Sequence, residues 1–222
     1  MTREKPTLIY CAGDGKRFAQ IAVDAGFAYG SRSDMRPHHP VAMADLNYKA
    51  PDLDRHAAFV REHRPALAVA PDLFSRDDLC TTLRYAEGLA RDAERVILVP
   101  KYPGCVSDIP REPWIVLGYS VPTKYGGADG QLLWEWTGWP VHLLGGNPTT
   151  QLNLAHYLDV VSADGNGHQR AARHGVWWCG GCRKWQTRNA DVPPGADLPY
   201  RAFARSCREI QAAWAAWTEG AA

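Results

Sequence analysis

At 222 residues, 45% apolar and 22% charged, the chain has the composition of a soluble globular protein and the length to bury a full core. A formal net charge of +1 excludes a global positive field, leaving local clusters such as Arg170, Arg173, Arg183, Lys184 and Arg188, a pattern that is usually a solvated face. No apolar run approaches the roughly 18 residues of a membrane span, the start MTREKPTLIY lacks a signal-peptide core, and six scattered cysteines make no disulfide framework, so a cytoplasmic protein is expected.

Residues 8–12 read as a strand ending at Gly13-Asp14-Gly15, and 17–25 as a helix with Phe18, Ile21 and Ala25 on one face, stopped by Gly26. A second strand, 27–30, leads into 34–40, whose two prolines predict a loop where a helix would otherwise stand. Residues 41–44 form a third strand ending on Asp45, after which Asp52 caps a helix striped by Leu53, Ala57 and Val60. The fourth strand, 66–70, ends on Asp72. Ser75 and Asp78 then have the spacing of a capping box for a helix striped by Leu79, Leu83, Ala86, Ala90 and Ala93. The fifth strand, 96–99, ends in Pro100-Lys101-Tyr102-Pro103-Gly104, and the sixth, 114–117, in Gly118-Tyr119-Ser120.

A loop with Gly126-Gly127 and a short Trp-rich turn at 132–136 precede the most informative stretch, 140–166. Its seventh strand, 141–144, meets Gly145-Gly146; Asn147 stands at an N-cap and Pro148 at the first helical position. Residues 160–163 are the eighth strand, with Asp164-Gly165-Asn166 just past its end. Eight short strands without polar alternation imply a parallel sheet buried on both faces, and their number favours a compact (β/α)8 TIM-type barrel over an open doubly wound sheet. Residues 1–166 would form the barrel core. Residues 167–222 would be a Trp- and Cys-containing extension, with a proline-rich loop at 191–199, packed on it as part of the same domain. Its last helix, striped by Phe203, Cys207, Ile210, Trp214 and Trp217, would close the outer layer.

In such a barrel the C-terminal strand ends converge on one mouth, here bringing Asp14, Asp45, Asp72, Lys101, Tyr119, Gly145-Gly146 and Asp164 together. A single Asp at such a place reads as a turn or cap residue, and Asp14 between glycines is read that way. Several carboxylates in one partly dry cleft do more: their pKa values split, leaving one ionised and another able to hold a proton. An ionised carboxylate can attack a sugar carbon.

The run HLLGGNPTTQLNLAHYLDVVSADGN…RAARHG resembles the closing barrel unit of the tRNA-guanine transglycosylases, in which a glycine-rich strand end, a helix and a strand lead to a nucleophilic aspartate. Upstream, VAMADLNYK, LAVAPDLF, VPKYPG and IVLGYSVPTKYGG stand in the order of that superfamily's other site elements, although the Ser-Gly-Gly after the first Asp is absent. The shortness of the chain resembles the phage and bacterial branch that inserts 7-deazaguanines into DNA. The resemblance implies exchange of guanine for a 7-deazaguanine base, such as 7-cyano-7-deazaguanine, in DNA rather than tRNA, without a cofactor for the chemistry. It assigns Asp164 as nucleophile, with Asp159 or Ser162 competing for that place, and Asp45 as proton carrier. Asp72, Lys101, Tyr102, Gly118, Tyr119, Gly145, Gly146 and Asn166 would bind the base and sugar. A base-releasing N-glycosidase and a non-catalytic nucleobase- or nucleic-acid-binding barrel are the alternatives.

The superfamily carries zinc after its last strand, and Cys179 and Cys182 have the spacing of half such a site. Cys207 or His174 could add a ligand, but Cys207 reads first as a buried structural cysteine, and Cys11, Cys80 and Cys105 read as structural. His38, His39, His56 and His63 read as surface residues and His142 as an edge or core histidine. Trp177, Trp178 and Trp185, beside arginines, could stack on nucleobases.

Overall fold

The computed structural model describes residues 4–11, 15–122, 132–187 and 197–220. Asp14, Gly126-Gly127, Arg188 and residues 191–196 of the proline-rich loop lie outside them. Strands β1 (Thr7–Cys11), β2 (Ala28–Arg32), β3 (Met43–Asp45), β4 (Leu67–Val69), β5 (Arg95–Leu98), β6 (Ile115–Ser120), β7 (Pro140–Leu144) and β8 (Asp159–Asp164) pair in chain order into a closed barrel. Every neighbouring pair is parallel, and β8 returns to β1 with Thr7 opposite Ser162 and Ile9 opposite Asp164. This is the (β/α)8 arrangement expected from the strand count.

Helices α1 (Lys16–Asp24), α2 (Leu53–His63), α3 (Leu79–Leu89), α4 (Cys105–Asp108) and α5 (Pro148–Leu154) cover the outside. Their starts follow the local chemistry. The Asp52 carboxylate accepts the Arg55 N–H at 3.0 Å. Ser75 and Asp78 close the capping box, and Asn147 accepts from Thr150 N at 3.0 Å with Pro148 at N1. Residues 33–42 contain no helix, as their prolines dictate. After β6 only a 3-10 turn, Leu133–Trp136, is described.

The strands divide the apolar residues into two sets. Ile9, Cys11, Met43, Leu67, Val69, Ile97, Val99 and Val116 fill the barrel interior. Leu8, Tyr10, Ala44, Leu98, Leu117, Tyr119, Val141, Leu143 and Val160 face the helices. At Gly118 the interior has no room for a side chain: a Cβ there would lie 2.7 Å from Ile97 Cγ2 and 2.8 Å from Leu144 Cδ1.

Beyond the barrel, α6 (Gly167–Ala172) leads to a hairpin that sequence patterning did not reveal, β9 (Trp177–Cys179) paired antiparallel with β10 (Lys184–Gln186). The 21-residue α7 (Leu198–Thr218) packs against α1, α6 and β9, closing the outer layer. Its Phe203, Cys207, Ile210, Trp214 and Trp217 are buried, each large apolar side chain contributing roughly 1.5–3 kcal/mol. Trp177 and Trp178 are also buried, under α7, and cannot stack on a ligand; of the three tryptophans proposed for that role only Trp185 is exposed. His56 is likewise fully buried rather than on the surface, and buried His168 lies flat on Phe203, ring centroids 4.9 Å apart. Among the described residues, no helix is long and apolar enough to cross a membrane.

Candidate active site at the barrel mouth

A cavity of about 690 Å³ opens at the C-terminal ends of the strands. Asp45 closes β3, Asp72 follows β4, Lys101 follows β5, Ser120 ends β6, Gly145 follows β7 and Asp164 ends β8; all six line this cavity. Val69, Val99 and Leu144 form its apolar wall. Tyr48 and Phe74 stand at the rim, 76% and 69% exposed, although both are large apolar residues that would normally be covered.

The position of Asp164 depends on an irregularity in β8. In a regular strand residues an even number apart share a face, so Asp164 would point outward with Val160. The β7–β8 register slips by one residue, Val141 opposing Val160 but His142 opposing Ser162. Val161 is the extra residue. The bulge reverses the phase of everything after it, turning Ser162 and Asp164 inward. Gly145, at φ +65°, then donates its N–H to Asp164 Oδ1 at 2.9 Å. Gln151 of α5 donates its side-chain N–H to Gly145 O and Asp164 O, each at 2.7 Å, and so ties the β7 turn to the end of β8.

The three carboxylates differ in environment. Burial, then the charge of Asp164, pushes Asp45 up to about 7, against the opposing pull of the Leu46 N–H and Arg32. Burial also raises Asp72, with Lys101 acting against it. Lys101 Nζ lies 3.5 Å from Asp72 Oδ2 and donates to Ser120 Oγ, so the far wall is a cation flanked by a carboxylate and a hydroxyl. Cys11, on β1 between β8 and β2, has its Sγ 3.9 Å from Asp45 Oδ2. Burial and the two carboxylates raise its pKa well above the usual thiol value, so it stays protonated and is no nucleophile.

Other residues singled out from sequence are not brought to the cavity. Strand β6 runs on to Ser120 instead of stopping at Leu117, which places Gly118 and Tyr119 inside a strand. Gly118 is packed beneath the cavity, and Ser120, the next inward position, forms the wall. Tyr119 points outward, 5.0 Å edge-on to Trp136, and cannot stack on a base. Tyr102 donates its phenol O–H to Asp108 at 3.1 Å, away from the mouth. Asn166 sits at the start of α6, where its carbonyl accepts from Gln169 and Arg170. Gly146, at φ +81°, backs onto Val121, where a Cβ would fall 2.3 Å from Cγ1.

Conversely, Tyr48, Phe74, Ser120, Gln151 and His142 escaped sequence reading as site residues. Ser120 was within reach of it, since Val116, Gly118 and Ser120 alternate on one face of a single strand. Polar Gln151 on the apolar side of α5 was a second signal.

At the hairpin, Cys182 Sγ accepts from Gln186 Nε2 at 2.9 Å, and the neighbouring Cys179 thiol lowers the Cys182 pKa. Cys207 is fully buried on α7. No cluster of three or more metal-ligating side chains occurs among the described residues, and Cys179 and Cys182 have the spacing of half of a zinc site.

Residues 22–215 match the model of a family of unknown function, DUF6610. The chain belongs to the DUF6610 family. No curated protein matches it. Because the matched region runs from α1 to α7, this DUF6610 barrel includes the mouth carboxylates and the hairpin within one family unit.

Proposed function

We propose that this DUF6610 protein is a glycosyl-exchange enzyme that replaces guanine in DNA by a 7-deazaguanine base through a covalent aspartyl–sugar intermediate. The observation that carries the reading is the unlike carboxylate pair: Asp45, raised to about 7 by burial and by the charge of Asp164, shares one cavity with Asp164. Such a pair supplies a nucleophile and a proton carrier at neutral pH. Asp164 Oδ2 attacks C1′ of the deoxyribose, the C1′–N9 bond breaks, and its electron pair leaves with guanine, which takes the proton from Asp45. In the second half N9 of the incoming base attacks C1′, the C1′–Oδ2 bond breaks, and the N9 proton returns to Asp45.

The rest of the cavity fits a purine. Tyr48 and Phe74 offer exposed aromatic faces at the rim. Asp72 can accept from the guanine N–H edge, and Lys101 and Ser120 can donate to its carbonyl. In duplex DNA the target nucleotide must leave the stack before it can enter.

The test is release of labelled guanine from a DNA oligonucleotide, with and without 7-cyano-7-deazaguanine, followed by denaturing gels for a protein–DNA adduct. Beyond the one equivalent of guanine that accompanies adduct formation, the wild type should release guanine only as the second base is incorporated. Asp164→Asn should lose exchange by several orders of magnitude and form no adduct, while retaining DNA and base binding. Full exchange by Asp164→Asn would refute the reading. Multiple-turnover release without incorporation would make the protein an N-glycosidase.

A further inference from the structure

Beneath Asp164 the barrel interior holds a polar pair outside the cavity. His142 of β7 is completely buried, and its Nδ1 lies 2.8 Å from Ser162 Oγ on β8. Its Nε2 has no hydrogen-bond partner, yet it is buried and 3.4 Å from Asp164 Oδ1. An unpartnered imidazole nitrogen in a dry interior is costly. Among the described residues the acceptor that faces it is the Asp164 carboxylate, at the outer limit of a hydrogen bond.

We propose that His142 is a positioning residue for Asp164, held as its Nε2–H tautomer by Ser162. The inference rests on the exchange reading above for its consequence, but not for its geometry. Asp164 is an acceptor, so the nitrogen facing it carries the hydrogen. In the neutral ring Nδ1 is then an acceptor and takes the Ser162 hydroxyl hydrogen. Oδ1 is approached from two sides, by Gly145 N–H at 2.9 Å and by His142 Nε2. Among the described residues Oδ2 accepts no hydrogen bond, which leaves it as the oxygen free to reach C1′.

The consequence falls on both halves of the reaction. As Oδ2 attacks, the carboxylate charge disappears into the ester. As the incoming base displaces Asp164, the charge returns, and the two donors at Oδ1 stabilise the departing carboxylate. The same bulge at Val161 that turns Asp164 inward also turns Ser162 inward, so one irregularity builds the whole row.

The test is imidazole nitrogen NMR of the intact protein, combined with single-turnover kinetics. His142 should show a protonated Nε2 and an unprotonated Nδ1. Ser162→Ala should move the Nδ1 resonance, and Asp164→Asn the Nε2 resonance. His142→Gln should lower the rate of adduct formation about ten- to a hundredfold, with the KM for the incoming base unchanged, because a misplacement of about 1 Å at a nucleophile costs up to about a hundredfold. An Nδ1–H tautomer, an Nε2 resonance indifferent to Asp164→Asn, or a changed base KM with an unchanged adduct rate would overturn the proposal. If His142→Gln does not fold, the wild-type tautomer and the Ser162→Ala shift still decide it. Absence of any exchange by the wild type would defeat the enzymatic reading and leave the NMR result standing on its own.

Discussion

Replacing Asp45 by Asn isolates the cost of keeping a carboxylate in the barrel mouth. Burial and Asp164 raise the Asp45 pKa from its ordinary 3.8 to about 7. The folded state therefore holds this proton more tightly than the unfolded chain does. Between these two values the native protein is protonated there and the unfolded chain is not, so stability falls as pH rises and levels off above about 7. A displacement of that size corresponds to about 4 kcal/mol of stability forfeited by pH 8 relative to pH 3. Asparagine has nearly the same shape, can accept from the Leu46 N–H, and carries no charge to desolvate. Asp45→Asn should match the wild type near pH 4 and exceed it at pH 8 by up to about 4 kcal/mol. In a domain of this size that raises the melting midpoint by roughly 8–16 °C. Thermal and urea unfolding of both proteins at pH 4, 6 and 8 measure the difference directly. A stability difference that is flat with pH, or that grows toward acid, would refute the reasoning. The same variant should lose base exchange, so it would gain stability while losing its proton carrier, as expected where a site is held at the expense of the fold.

Burial lowers the His168 pKa from 6.5 to about 4, so its contribution is intact above 6.5 and lost as pH falls toward 4. His168→Phe, which preserves an aromatic face for Phe203, should therefore lose about 3 kcal/mol less than the wild type between pH 7 and 4 in urea titrations; parallel curves would contradict this. Gly118→Ala introduces a Cβ 2.7 Å from Ile97 Cγ2 and should cost about 1–3 kcal/mol in the same assay, whereas a neutral result would mean the interior can give way there.

Much of the scaffold was legible because the signals that specify it are local. Apolar runs of four to six residues, the Asp52 and Asn147 caps, the Ser75–Asp78 box and the Pro-rich break at 34–40 each act over a few neighbouring residues. Eight such runs leave few ways to bury a parallel sheet on both faces. Strand ends were legible too, which is why the sequence alone singles out Asp45, Asp72, Lys101 and Asp164.

Which way a strand residue points is a different matter, because it turns on a single residue of phase. The length of β6 decides that Ser120 faces the cavity and Tyr119 faces Trp136. The slip at Val161 decides that Asp164 faces inward; no local pattern in VVSAD announces it, since the bulge lies in the pairing with β7. The aromatic rim is likewise a tertiary fact. Tyr48 and Phe74 lie 26 positions apart in chain segments with no shared periodicity, and meet only because β3 and β4 are neighbours in the barrel. The composition and local order of this chain determined a barrel and its strand ends; closure of that barrel decided which side chains share the mouth, because only pairing around the ring sets each strand's phase.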